Sequence, residues 1–321
     1  MASILNLLVG AGGIYASFLY YGSLQEDVLS FEASDGGKFV YSWFLQVLEA
    51  ATNVVLGGLL MVVLEGGPRP VPQVAYGISG AVQVTAKYCT TSAMMSGVSF
   101  PVATLAKSSK MVPVMVGSLL LGKASYSWRE YGHVLMIVGG TAAVSLAGGK
   151  KKGGSNSAVG LAFLVAALTC DGIVAGTQKR LKADLKAVGF KEKNFEMQFF
   201  TSLYMCLAAI VFAVVMGEFS PGVQFCVAHP EVGLALAKVS VCSAAGQAFI
   251  FYTISNFDPL VCTTVTTTRK VFSVLLSIFV KGHVLDTQGW AGVTLASVGI
   301  LGELEQKFSA RSPKPSEDKT K

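Results

Sequence analysis

Lys110-Met111-Val112-Pro113-Val114-Met115 and Lys270-Val271-Phe272-Ser273-Val274-Leu275 align without a gap, each opening on a lysine inside an otherwise apolar run. At the same offset, Thr104 meets Thr264, Gly122 meets Gly282, Gly132 meets Gly292 and Gly139 meets Gly299, with Leu135 on Leu295 and Val138 on Val298 between them. The offset is half the chain length, so the sequence reads as two copies of one unit. Each copy carries a cationic pair: Lys107 and Lys110 in the first, Arg269 and Lys270 in the second. A charge at the centre of a bilayer costs roughly 2.5–3.5 kcal/mol on insertion scales and is seldom kept without a task. The repeated pairs therefore point to a carrier for an anion.

Composition agrees with a membrane setting. Of 321 residues, 52% are hydrophobic and 14% charged, and the mean hydropathy is +0.57. Soluble domains carry about 25% charged residues, so the chain reads as polytopic rather than as one large globular core. The 35 glycines suit close helix packing in lipid. The formal charge of +6 is not a nucleic-acid footprint, because the basic residues sit in loops, tail and spans without an aromatic platform. Six scattered cysteines form no CxxC or metal spacing, so neither a disulfide framework nor a zinc site is expected. His133, His229 and His283 neighbour no nucleophile-base arrangement, and no nucleotide-hydrolase or metalloprotease motif is present. An enzyme is not expected, and neither is a metal or cofactor. The first apolar run has no basic region before it, so it reads as a retained span.

A window of roughly 20 residues gives ten spans, near 3–22, 39–64, 71–92, 99–121, 128–147, 158–178, 195–217, 232–253, 259–281 and 285–304. The fold class is all-α: a polytopic membrane protein of ten transmembrane helices in two inverted five-helix repeats. The first repeat covers 1–147, a linker 148–157, the second repeat 158–305, and a disordered cytosolic tail 306–321. Five spans per copy force the second copy to cross upside down, and such repeats place a ligand near mid-membrane between the halves. Lysine and arginine bias puts both ends in the cytosol, although Lys150-Lys151-Lys152 runs against it. Residues 179–193 read as a short amphipathic helix with a turn at Gly189.

In a helix, Lys107 and Lys110 share roughly one face. Arg269 adds a planar fork suited to phosphate oxygens, and Lys270 a point charge. Four such cations without four matching carboxylates imply a ligand with two or more phosphates. The alternative pairs them with Glu49, Asp171, Glu26 and Asp258, or lets them snorkel. Glu26 reads equally as a gate acid or an interfacial acid. Glu49, with Gln46 and Asn53 a turn either side, reads as cavity lining or as an inter-helix hydrogen-bonding stripe. Asp171, Gly172 and Gln178 carry the same ambiguity. Lys87 is a fifth ligand cation or, the preferred reading, a snorkelling residue, as is Lys238. Gln247 and Tyr252 are candidates to receive a nucleobase. The hydroxyls of Thr263–Thr268 are expected on helix carbonyls, and Pro113 is expected to kink span four beside Lys110.

These features together resemble the nucleotide-sugar transporters of the drug/metabolite transporter superfamily. The resemblance is carried by Tyr20-Tyr21-Gly22-Ser23-Leu24-Gln25-Glu26, Ala106-Lys107-Ser108-Ser109-Lys110-Met111-Val112-Pro113, Gly246-Gln247-Ala248-Phe249-Ile250-Phe251 and Thr266-Thr267-Thr268-Arg269-Lys270. The chain is most similar to the branch of endoplasmic-reticulum UDP-galactose/UDP-glucose transporters, the reticulum ATP/ADP exchanger and the adenylyl-sulfate (PAPS) carriers. The resemblance implies that Lys107, Lys110, Arg269 and Lys270 contact substrate phosphates. It implies an antiporter bringing UDP-galactose or UDP-glucose into the reticulum or Golgi lumen in exchange for UMP. Lys270 argues against PAPS, whereas ATP/ADP exchange stays open. The implied partners are the nucleotide substrate and the lipid bilayer, with a homodimer left open and no nucleic acid. The rival of a different class is a membrane scaffold whose charges only join helices.

Overall fold

The computed structural model describes residues 4–32, 36–110, 112–113, 115–116, 127–149, 158–190, 193–257, 259–282 and 285–309. Among them the architecture is helical, with one isolated antiparallel bridge between Glu32 and Lys38. In chain order the helices are α1 (Ile4–Ser30), α2 (Ser42–Glu65), α3 (Gln73–Met95), α4 (Phe100–Ala106), α5 (Trp128–Gly149) and α6 (Ala158–Ala187). There follow α7 (Asn194–Val215), the short α8 (Phe219–Ala228), α9 (Pro230–Asn256), α10 (Pro259–Val280) and α11 (Thr287–Ser309). Among the described residues, five stretches, in α1, α2, α6, α7 and α9, are long and apolar enough to cross a membrane by length and composition.

Large apolar side chains lie exposed over much of the surface, while several polar ones are buried beside the apolar core. Val55, Val63, Val165, Val215 and Phe279 are more than half exposed, while Gln46, Glu49, Asn53, Gln198 and Ser243 are buried. Apolar residues facing outward in such number suit lipid, and polar groups facing inward suit an aqueous or ligand-filled interior.

Several boundaries differ from those read in the sequence. α1 runs on to Ser30 rather than ending at 22, because its added acids have partners on α10 and just beyond it: Glu26 accepts a hydrogen bond from Ser277 at 2.7 Å, and Asp27 pairs with Lys281. α6 continues unbroken to Ala187, so the expected separate amphipathic helix is its last turns. The turn at Gly189 is present, with φ +81. The short α8 was not expected, and α11 carries helix to Ser309, into the segment read as disordered tail. α5 runs to Gly149, into the start of the expected linker; the end of span four at 117–121, Gly122, linker residues 150–157, Asp258, His283 and the tail from 310 lie outside the described residues.

Helices from the two halves of the chain pack on each other. α2 lies along α7, α5 along α11 and α4 against α10, while α3 lies along α6 and α1 along α9. α5 and α11 touch at their backbones: a Cβ added to Gly292 would lie 2.7 Å from the Gly140 carbonyl oxygen. A carboxylate from elsewhere in the chain caps the start of each of α2 and α7. The N–H groups of Phe195 and Glu196, opening α7, donate to the Glu65 carboxylate at 3.1 and 2.8 Å. The Trp43 N–H, opening α2, donates to Glu218 at 2.7 Å. Each carboxylate satisfies amides that have no intrahelical partner and sits at the positive end of a helix dipole.

These contacts define two ends of the molecule. At one end, where α2 stops and α7 starts, Arg69 forks onto buried Glu196 at 2.9 and 2.7 Å. That hydrogen bonding raises the Arg69 pKa further above its already high value. Val71, Tyr76, Leu181 and Leu185 form an apolar cluster beside it. At the other end, Val28, Phe39, Phe44 and Leu236 form a second cluster, near the Asp27–Lys281 pair.

Candidate functional site

The repeated cationic segments take different local forms. α4 gives way to a 3₁₀ turn at Lys107–Lys110. Pro113 has no N–H to offer the Ser109 carbonyl, and its ring crowds that carbonyl, so a continuous α-helix is not available there. The Pro113 ring is received by Gly172 of α6, where an added Cβ would come within 3.2 Å of it. Where a kink was expected from Pro113, the α-helix gives way to the 3₁₀ turn one turn ahead of the proline. The matching segment of the second half, with Ser273 in place of Pro113, continues as straight α10 through Arg269 and Lys270.

Lys107, Arg269 and Lys270 line one cavity of ≈ 210 Å³ at the meeting of α1, α3, α4, α9 and α10. Tyr21, Gln25 and Thr91 contribute to the same wall. Lys110 closes the 3₁₀ turn, and its side chain lies outside the described atoms. Lys107 lies 4.0 Å from Asp171, the outer limit of an ion pair. The Arg269 guanidinium sits 4.6 Å from the centroid of the Phe18 ring. Its Nε is buried and has no hydrogen-bond partner among the described residues. Tyr15 donates to Thr268 at 2.8 Å, tying α1 to α10 beside this arginine. Thr266 and Thr268 donate to the carbonyls of Cys262 and Thr264, as expected of the threonine run.

A second cavity, of ≈ 130 Å³, adjoins the first and shares Lys87 and Gln247 with it. Asn53, Gln83, Gln178, Gln198 and Phe251 line it. The side-chain oxygens of Asn53, Gln83 and Gln198, and the Gln198 amide nitrogen, are buried without partners among the described residues. Buried amides left in that state favour a ligand or water that can bond them.

Glu49 stands between the cavities with 1% of its surface exposed. It accepts hydrogen bonds from Tyr21 at 3.0 Å and Ser243 at 3.3 Å, and pairs with Lys87. Lys87 therefore does not snorkel; a buried carboxylate draws it inward. Lys238, by contrast, is exposed on the outer surface. Glu26 bonds Ser277 towards the end of α10. Gln247 lines both cavities, but Tyr252 lines neither: it packs beside α1 near Gly10, and its neighbour Phe251 faces the second cavity instead. One residue's difference on a helix rotates the side chain by about 100°, which window-based reading does not resolve. Phe18, Tyr21 and Ser243 had no role assigned from sequence. Their signal was partial, since Tyr21 belongs to the Tyr20–Glu26 motif and the other two are unremarkable in apolar helices. Among the described residues no group of three His, Cys, Asp or Glu could hold a metal ion.

An interior of this kind, cationic on one wall and amide-rich on another, suits a ligand with a polyanionic part and a neutral polar part. The comparisons with known proteins agree with that chemistry. Residues 6–307 match the UAA transporter family. The chain is 30% identical to the solute carrier family 35 member B1 homolog of Drosophila melanogaster, over 93% of this chain and 90% of that protein. It is 30% identical to adenosine 3'-phospho 5'-phosphosulfate transporter 1 of Homo sapiens, over 98% and 74% of the two chains. It is likewise 30% identical to UDP-galactose/UDP-glucose transporter 3 of Arabidopsis thaliana, over 95% and 93%. A solved crystal structure superposes with a TM-score of 0.54 at 14% identity, covering 97% of this chain and 100% of the other, which speaks for the fold alone. The chain belongs to the UAA transporter family, a family of membrane transporters and not of enzymes.

Proposed function

We propose that the chain is an antiporter that brings a UDP-hexose, UDP-galactose or UDP-glucose, into the lumen of the reticulum in exchange for UMP. The Golgi lumen is the alternative destination. Its frame is ten spans in two inverted repeats. Supporting this, the helix pairing is unchanged when the first five spans are exchanged for the last five. That exchange turns α3–α6 into α9–α1 and returns α2–α7, α4–α10 and α5–α11 to themselves. In this reading Lys107, Lys110, Arg269 and Lys270 hold the phosphates. The observation that carries it is the convergence of Lys107, Arg269 and Lys270 on one interior cavity, with the Arg269 Nε unpartnered among the described residues.

Transport then requires the two ends to open in turn. Arg69–Glu196 and its apolar cluster close one end, and Asp27–Lys281 with the Phe39–Phe44 cluster closes the other. An empty clamp of like charges resists reorientation, whereas a bound anion neutralises it, so movement is coupled to exchange.

ATP/ADP exchange is the second reading, because the same phosphate clamp serves any polyphosphate and relatives at 30% identity are named for both an adenine-nucleotide derivative and UDP-sugars. PAPS fits less well in this reading, since the resemblance carried by Thr266-Thr267-Thr268-Arg269-Lys270 implies a UDP-sugar or ATP/ADP member. Proteoliposomes loaded with UMP, ADP or buffer decide between them. UDP-galactose uptake driven by internal UMP is expected; uptake of ATP driven only by internal ADP would transfer the assignment to the adenine nucleotides. No counterflow with any nucleotide would return the charges to a purely structural role.

A further inference from the structure

The Glu49–Lys87 pair has an uneven burial that the phosphate clamp does not explain. Its carboxylate side chain is 1% exposed and its ammonium side chain 26% exposed, and Lys87 lines both cavities. An anion in the larger cavity meets Lys87 in front with Glu49 behind it. Glu49 is fixed there by Tyr21 of α1 and Ser243 of α9, so it stays in place if Lys87 moves away.

We infer that Glu49 competes with the ligand's phosphate for Lys87, so that a built-in carboxylate speeds release of a ligand the clamp would otherwise retain. This deepens the proposed nucleotide exchange and rests on it. A lysine with no competitor would add a full charge-assisted hydrogen bond to the bound state and slow departure. A permeation site works only if binding is favourable enough to admit the solute and weak enough to release it. Breaking a buried ion pair is costly: an incoming phosphate compensates Lys87, while Glu49 keeps only the hydrogen bonds from Tyr21 and Ser243 and so draws the ammonium back. Release follows when Glu49 recovers the ammonium. Because Glu49 belongs to α2 and Lys87 to α3, the swap also loosens these two helices from each other.

The test is counterflow of radiolabelled UDP-galactose into UMP-loaded proteoliposomes for the wild type, Glu49→Gln, Glu49→Asp and the double variant Glu49→Gln/Lys87→Met. Glu49→Gln is expected to lower the half-saturating concentration about ten-fold, the share of one charge-assisted hydrogen bond, while lowering the maximal rate. Glu49→Asp should restore the wild-type pattern. In the double variant the gain in affinity should vanish, with half-saturation at or above the wild-type value. Glu49→Gln with unchanged or higher half-saturation overturns the inference. If Glu49→Gln does not fold, a double variant that binds more tightly than the wild type overturns it equally. A wild type that shows no counterflow fails the transport reading itself and is distinguishable from both.

Discussion

α4 and α10 occupy matching places in the two halves of the chain, yet only one of them is a continuous helix. α10 carries Arg269 and Lys270 on an unbroken run from Pro259 to Val280, with its threonine hydroxyls turned back onto its own carbonyls. α4 stops at Ala106 and tightens into a 3₁₀ turn that holds Lys107 and Lys110. A single exchange accounts for it: Pro113 stands where the second half has Ser273. The two aligned segments thus form a continuous helix in one half and a broken one in the other, and both present charge to the same cavity.

The comparison is tested most severely on the continuous helix. Arg269→Ala should lower exchange about a hundred-fold while leaving the amount of folded protein unchanged, because it removes a fork able to make two charge-assisted bonds. Arg269→Lys keeps the charge without the fork and should recover only part of that loss. Exchange by Arg269→Ala at near-wild-type rates would remove α10 from the site.

On the broken helix the effect should be smaller and of another kind. Pro113→Ala allows the helix to run on through Lys110, since the missing N–H is restored and the ring clash relieved. Exchange is expected to fall about ten-fold with nucleotide-induced thermal stabilisation retained, as for a residue that governs movement rather than binding. A loss of binding equal to the loss of rate would show that the turn shapes the site and does not hinge.

The two closures offer the mildest contrast. Arg69→Ala leaves Glu196, fully buried, without its fork, and should cost about 3 kcal/mol of stability. Lys281→Ala breaks a pair whose Asp27 side chain is 56% exposed and should cost under about 1 kcal/mol. Thermal unfolding in detergent compares them, and equal effects would mean that the two ends are not closed by the means described.

Much of this was legible in the sequence because lipid makes the rules simple. A run of apolar residues in lipid has to be helical, and a charge repeated inside two such runs has to face inward. That logic turns Lys107, Arg269 and Lys270 inward, and all three line the larger cavity; the missing N–H of Pro113 separately marks where α4 gives way to the 3₁₀ turn. What escaped depended on geometry that no window sees. Lys87 was read as snorkelling because its partner, Glu49, lies on another helix, and only packing brings the two together. Tyr252 was chosen over Phe251 because rotational setting on a helix is fixed by neighbours, here Gly10 of α1, and not by local sequence. The length of α1 was misread for the same reason: Glu26 and Asp27 look like the end of a span until Ser277 and Lys281 are seen opposite them.

A structure of the chain with a UDP-hexose bound tests the account most directly. The diphosphate should lie between α4 and α10, within hydrogen-bond reach of the Arg269 guanidinium and of the Lys107 and Lys270 ammonium groups. A ligand whose phosphates rest elsewhere, with those three side chains unchanged from the empty cavity, would contradict it.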